Sequence, residues 1–374
     1  MMRRKICYVT EVDLDDIGGA VTNDMKMIRC LQKFGDVNVI YLAKKRCSSI
    51  WLALASFIFQ ILRSFSKSYI LYFSRGLINS CVLMLFKPIH GKKVVHNAHS
   101  VPFPSREVHY ATYHNRLELL VRYCLFRFLE KTILPHVDEI VAAADEYAEE
   151  LEKAGVARER ISIIHYYVEN DFFKQPIKRY VNGVFKFSYI GRFYTYHDLI
   201  PLIQAFQLVA EHEKGIQLLM VGDGVLRSKV ENEITERKLT DRAKLVGMFP
   251  HSAIPFFLSK VDCFVFLTRA SGIPISLLEA AAAGKAIISL TRKQDITLNR
   301  YFRHGKEIYM VNTLSIVEIA KALELLYSDQ KLRDTLAIGA RKVAQEYFSE
   351  KVVLRQLEEL ISKISLNNSI DPEM

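Results

Sequence analysis

Four short segments combine small residues, helix starts and isolated polar side chains in ways that suit phosphate or hydroxyl recognition. Gly18-Gly19-Ala20 lies between a first β-like run and a helix expected to begin near Thr22. Glycines at such a junction let backbone N–H groups approach an anion, though a plain tight turn uses the same residues. Gly191-Arg192-Phe193 directly follows the apolar run Phe185–Ile190. An arginine at the carboxyl end of a strand offers a planar fork to a diphosphate, or closes a surface salt bridge. Val221-Gly222-Asp223-Gly224 begins like a dinucleotide fingerprint, but Arg227 stands where G-x-G-x-x-G needs its third glycine, which argues against a nicotinamide or flavin enzyme. In the segment from Ser271 to Gly284, Pro274 suits a first helical turn and Gly284 a left-handed stop. The helix between them is apolar except for Ser276 and Glu279. A carboxylate there sits at a solvent edge or accepts from ligand hydroxyls, and we expect the latter. Its N-terminus, near Gly272 and Ile273, adds a second favourable place for phosphate.

The elements that must hold these loops alternate between β-like and helical patterns. Lys5–Thr10, 37–43, 69–73, 93–96 and 139–143 read as strands with helices between them. The helix at 146–154 ends at Gly155. The second half repeats the alternation, with strands at Phe185–Ile190, 217–221, 244–246, 263–267 and 286–289 and helices at 199–211 and 275–283. Such alternation predicts parallel, doubly wound α/β sheets with ligands at the carboxyl ends of the strands. The polar stretch 174–183 is the expected linker. A last helix at about 351–364 carries Val353, Leu357, Leu360, Ile361 and Ile364 on one face and must dock on something.

The chain has 374 residues, 50% hydrophobic and 25% charged. This is globular composition, enough for two domains with their own cores, and it excludes wholesale disorder or a small disulfide scaffold. No run of about 18 uncharged apolar residues calls for a transmembrane helix, and the start reads as a strand rather than a signal peptide. Cys7, Cys30, Cys47, Cys81, Cys124 and Cys263 form no C-x-x-C pair, so no metal or disulfide use is expected and a reducing cytoplasm is the simplest home. Net charge is +10, yet the stretch from Met25 to Arg106 alone carries 13 Lys/Arg against Asp36, and the remainder is slightly acidic. Within that stretch, a helix over 50–62 places Ser49, Ser56, Gln60, Arg63 and Lys67 in one narrow polar stripe and leaves a broad apolar remainder. With Lys44, Lys45 and Arg46 before it, this helix suits an anionic membrane surface, the other reading being a buried core helix. No nucleic-acid-binding signature accompanies the basic charge, and G-x-S-x-G, H-E-x-x-H and Walker A motifs are absent from the sequence.

Taken in order, these segments resemble a retaining glycosyltransferase of family 4. The likeness runs from the Gly18-Gly19 loop through 94–99, 139–145, 160–164, Gly191-Arg192, 221–227, 247–251 and 272–280 to a final helix that in the family crosses back to the first domain. It implies the GT-B fold, two Rossmann-like domains facing a cleft: residues 1–178 for acceptor and membrane, 184–348 for the donor, and 349–374 as the returning helix. It implies no tightly bound cofactor and no metal, but a nucleotide-diphosphate sugar (UDP, GDP or ADP) and an acceptor entering from the first domain; the basic, apolar first half makes a lipid-linked or glycan acceptor at the inner face of the cytoplasmic membrane the expectation. By the same resemblance Arg192 holds the diphosphate, Glu279 the ribose hydroxyls, the Gly247–Met248 backbone the base and His99 the transferred sugar, while Gly18–Ala20 closes over the phosphates. His96, at the same strand end, is the alternative histidine, but a lone histidine is more often structural and His99 is the one expected to reach the sugar. Two positions depart from the pattern. Where the family carries a Lys-Gly pair, this chain has His197-Asp198, and the first acid of its Glu-x7-Glu is Ser271. A neutral histidine supplies less charge than lysine. Either another cation such as Arg269 moves in, or the protein is a non-catalytic GT-B scaffold that binds a partner subunit or glycan.

Overall fold

The computed structural model describes residues 5–15, 19–43, 49–98, 116–177, 183–195 and 197–367. The chain forms two compact units, Met1–Tyr166 with Lys351–Met374, and Tyr167–Glu350. Each is built on a six-stranded sheet in which every pairing between neighbours is parallel.

In unit one, β1 (Lys5–Thr10), β2 (Asp36–Tyr41), β3 (Leu71–Arg75), β4 (Lys93–Ala98), β5 (Glu139–Ala142) and β6 (Ile161–Ile163) lie in the order β2-β1-β3-β4-β5-β6. In unit two, β7 (Phe185–Ile190), β8 (Ile216–Val221), β9 (Ala243–Gly247), β10 (Cys263–Phe266), β11 (Ala286–Leu290) and β12 (Tyr309–Val311) lie in the order β12-β11-β10-β7-β8-β9. Sheets covered on both faces draw continuous apolar strands. Ile6, Cys7, Tyr8 and Val9 of β1 and all of β10 are accordingly buried. The two doubly wound sheets with flanking helices are the expected α/β fold. In each, the first strand marks where the strand order reverses: β1 against β3, and β7 against β10. Ligands of open α/β sheets bind outside the carboxyl ends of strands at such points.

The helix Leu199–His212 covers sheet two with Leu199, Leu202, Ile203, Phe206 and Val209, one stripe at helical spacing. The last helix, Glu350–Asn367, buries Val353, Leu357, Leu360, Ile361 and Ile364. Lys363 ties it to unit one, with Nζ 2.6 Å from the Glu139 carboxylate and 2.7 Å from the Glu159 carbonyl. The helix Ile50–Ser64 is a core helix on one side only. Ala53, Phe57 and Ile61 are buried, whereas Leu52, Ile58, Phe59 and Leu62 form a second, exposed apolar face. Lys44, Lys45 and Arg46 lie outside the described residues.

Candidate functional site

The loops after β7 and β10 interlock at the reversal point of sheet two. The Tyr189 hydroxyl donates to the Arg192 carbonyl at 2.9 Å and fixes the turn that carries Arg192. Phe193 inserts beneath the loop after β8 and is fully buried. A Cβ on Gly222 (φ +143°) would stand 1.9 Å from the Gly191 carbonyl oxygen, and one on Gly224 2.7 Å from that of Phe193. Gly222 and Gly224 thus serve close backbone approach between loops. Arg192 itself is exposed, and its guanidinium donates to the Tyr194 hydroxyl at 3.0 Å.

His197 and Asp198 face the loop after β10. The Asp198 N–H donates to the Leu267 carbonyl at 3.0 Å, and His197 Nδ1 lies 3.1 Å from Thr268 Oγ1. The His197 ring packs edge-on against Phe266 and Tyr189. Burial there pushes its pKa down to about 4, so at neutral pH it is uncharged. Asp198, only 8% exposed, has its carboxyl raised by burial; the guanidinium of Arg269, at 3.3 Å, opposes that rise, as does Arg292. Arg269 also donates to the Thr195 carbonyl at 2.8 Å. Position 197 therefore carries no charge at neutral pH, while Arg269 stands at the neighbouring Asp198 across the switch point. Arg292, after β11, is bidentate to Asp295. Three arginines, 192, 269 and 292, follow the adjacent strands β7, β10 and β11. Arg292 was missed in the sequence, although its place just after an apolar run matches that of Arg192.

The fourth loop leads into the helix Ile275–Ala282, which starts after Pro274, ends at Ala283 and is followed by Gly284 in the left-handed region (φ +64°). Ser271 is exposed, Gly272 and Ile273 are half-buried, and Gly272 adopts φ +82°. Glu279 does not meet solvent. It is 3% exposed, and His251 Nε2 lies 2.7 Å from its Oε1. On the other side of the ring, Glu169 Oε1 is 3.8 Å from His251 Nδ1. One ligand atom from each of Glu169, His251 and Glu279 lies within 4.8 Å of the others, the one such cluster among the described residues. Neither Glu169 nor the His251–Glu279 pairing was foreseen.

The remaining site residues divide as follows. Gly247 (φ +77°) has open space where a side chain would be, its carbonyl accepts from Gly222 N–H at 2.9 Å, and Met248 is exposed. Gly19 and Ala20 open the helix Gly19–Leu31, whereas Gly18 and His99 lie outside the described residues. His96 is buried in a hydroxyl network, Nδ1 2.8 Å from Ser80 Oγ, with its pKa lowered to about 4 by burial.

Residues 171–343 match the family model described as glycosyl transferases group 1. The matched segment contains Arg192, His197, Arg269 and Glu279. The chain is 23% identical over 257 residues to the capsular polysaccharide biosynthesis glycosyltransferase CapM of Staphylococcus aureus, covering 64% of this chain and 65% of that protein. It is 22% identical over 217 residues to the amylovoran biosynthesis glycosyltransferase AmsK of Erwinia amylovora, covering 56% and 53%. The chain thus spans two thirds or less of the length of these relatives. The fold matches Anabaena Alr3699/HepE, solved with UDP and glucose, at TM-score 0.73 and 15% identity over 96% of this chain and all of that one. It also matches sucrose-phosphate synthase of Thermosynechococcus elongatus at TM-score 0.79 and 16% identity, over 98% and 100%. The two sheets are thus those of GT-B proteins.

Proposed function

We propose that this protein is a glycosyltransferase that moves a sugar, with retention, from a nucleotide-diphosphate sugar to a lipid-linked or polysaccharide acceptor at the inner face of the cytoplasmic membrane. The observation that carries the reading is the switch point of sheet two. There Arg192 and Arg269 supply positive charge at the ends of neighbouring strands, and Glu279 presents a held carboxylate inside the group 1 segment. Arg192 and Arg269 hold the donor diphosphate, the start of the helix Ile275–Ala282 adds N–H groups near Gly272 and Ile273, Glu279 accepts from the ribose hydroxyls, and the Gly247–Met248 backbone meets the base. Charge on the departing diphosphate is the main thing such a site must stabilise, so catalysis is chiefly positioning and electrostatics. With His197 neutral, that task falls to arginines, which keep their charge at any physiological pH.

The membrane reading is supported by unit one. Leu52, Ile58, Phe59 and Leu62 line the outer side of the helix Ile50–Ser64, within the stretch that concentrates the positive charge of the chain. Among the described residues no helix is long and apolar enough to cross a membrane, so the contact proposed is peripheral.

One observation favours the second reading, a non-catalytic scaffold: burial keeps His197 uncharged where the family carries lysine. Thermal stabilisation by UDP, GDP, ADP and their sugar conjugates, with and without a divalent ion, separates the two. A ligand at about 100 times its Kd adds about 2.7 kcal/mol, a clear shift in Tm. Stabilisation by one nucleotide family supports the enzyme and names the donor class. Well-folded protein that responds to none of them leaves the scaffold.

A further inference from the structure

The geometry points to His251 as the positioning residue of the donor site, the group that fixes the Glu279 carboxylate in the orientation that reads the ribose. This inference rests on the donor-site reading above.

Glu279 sits on a helix that is apolar apart from Ser276, flanked by the buried Leu277, Leu278, Ala280 and Ala281. A carboxylate so enclosed needs a donor to remain in place. The His251 Nε2–H donates to Oε1 at 2.7 Å. A carboxylate with one oxygen held by a donor is restricted in rotation and keeps its second oxygen to accept from a hydroxyl. The ring is in turn confined. Glu169, the residue before the helix Asn170–Phe173, faces Nδ1 at 3.8 Å, and the Phe172 ring packs against the imidazole with centroids 5.6 Å apart. Position 251 opens the short turn His251–Ala253, four residues beyond Gly247, so this bond joins the base-side loop to the ribose-side helix.

The same trio invites a metal reading, which the arrangement opposes. The two carboxylates face opposite nitrogens of the ring, Glu279 at Nε2 and Glu169 at Nδ1. A single metal ion takes one imidazole nitrogen and needs its other ligands around that atom. The hydrogen bond at Nε2 and the 3.8 Å charge contact at Nδ1 together brace the ring between the two carboxylates.

The test compares Kd values by calorimetry for UDP, GDP and ADP and for their 2′,3′-dideoxy counterparts, which lack both ribose hydroxyls, in the full chain. The wild-type protein binds its ribonucleotide at least about 10-fold tighter than the dideoxy form, as expected for hydrogen bonds to a charged acceptor. H251F keeps ring volume and the contact with Phe172 but removes the donor; its preference falls toward unity while its Kd for the dideoxy form stays at the wild-type value. H251Q, whose amide can donate to Glu279, recovers most of the preference. Full preference in H251F, with preference lost in E279A, overturns the inference and leaves the donor-site reading intact. No preference in the wild-type protein overturns that reading itself. Stoichiometric zinc binding that disappears in H251F overturns the brace in favour of a metal site.

Discussion

Replacing Arg269 by methionine separates the ion pair that this side chain makes with Asp198 from the diphosphate-holding role proposed for it. Asp198 is 8% exposed and its partner 44%, with Nε 3.3 Å from Oδ1. Two unit charges about 4 Å apart attract by about 1 kcal/mol in water and about 4 kcal/mol at the effective dielectric of a partly buried site. The half-exposed guanidinium places this pair between those limits, so R269M costs about 2 kcal/mol. For a unit the size of Tyr167–Glu350, that is a fall of roughly 4–8 °C in Tm, read by calorimetry. The loss has a definite pH dependence. Burial raises the Asp198 carboxyl, and removing Arg269 raises it further. A group whose folded pKa lies above its unfolded one contributes stability at low pH and loses it as pH rises, so the R269M defect grows from about pH 4 upward. D198N/R269M, with no charge left to neutralise, returns to within about 1 kcal/mol of wild type. Donor binding behaves differently. If Arg269 also holds the diphosphate, the double variant still binds nucleotide roughly 10- to 150-fold more weakly, the worth of one charge-assisted hydrogen bond. Wild-type nucleotide affinity in D198N/R269M refutes the phosphate role and leaves Arg269 as the counter-ion of Asp198 alone. Unchanged stability in R269M refutes the electrostatic argument as well.

E279Q, which keeps shape but removes the charge, should weaken the nucleotide Kd at least about 10-fold with no loss of fold by circular dichroism. His197 should titrate by NMR only near pH 4. Since its folded pKa lies below the unfolded value of about 6.5, it contributes stability above that pH, lost as pH falls from about 6.5 toward 4. G222A should lose roughly 3 kcal/mol in urea denaturation, because its methyl meets the Gly191 carbonyl at 1.9 Å; wild-type stability there would mean the two loops are not nested as described. F59S/L62S should reduce co-sedimentation with anionic vesicles, and salt should weaken binding of the wild-type protein; sedimentation unchanged by both defeats the membrane reading.

The order of apolar and polar residues determined the twofold alternation of strands and helices, because side-chain period and burial are local properties of a strand or helix. Phe185–Ile190 is a strand to the residue, and the helices around Phe206 and Glu279 begin where expected. The loop that carries Arg192 and the loop that leads into the helix of Glu279 were visible for the same reason: each interrupts a period with glycine, proline or an isolated polar group. Ile161–Ile163 and Tyr309–Val311 were not read as strands, since three residues at a sheet edge show no period. Pairings across long separations were decided by tertiary structure alone. Strand order sets β7 beside β10, which brings Asp198 to Arg269 and buries His197 until it cannot hold a charge at neutral pH. The fold likewise decides that Glu279 faces His251 rather than water. It also gives the helix Ile50–Ser64 two apolar faces of which only one is covered. A sequence states which side chains are able to ionise or to avoid water; which neighbour each one meets, and hence whether it stays charged or exposed, depends on the order in which the strands assemble.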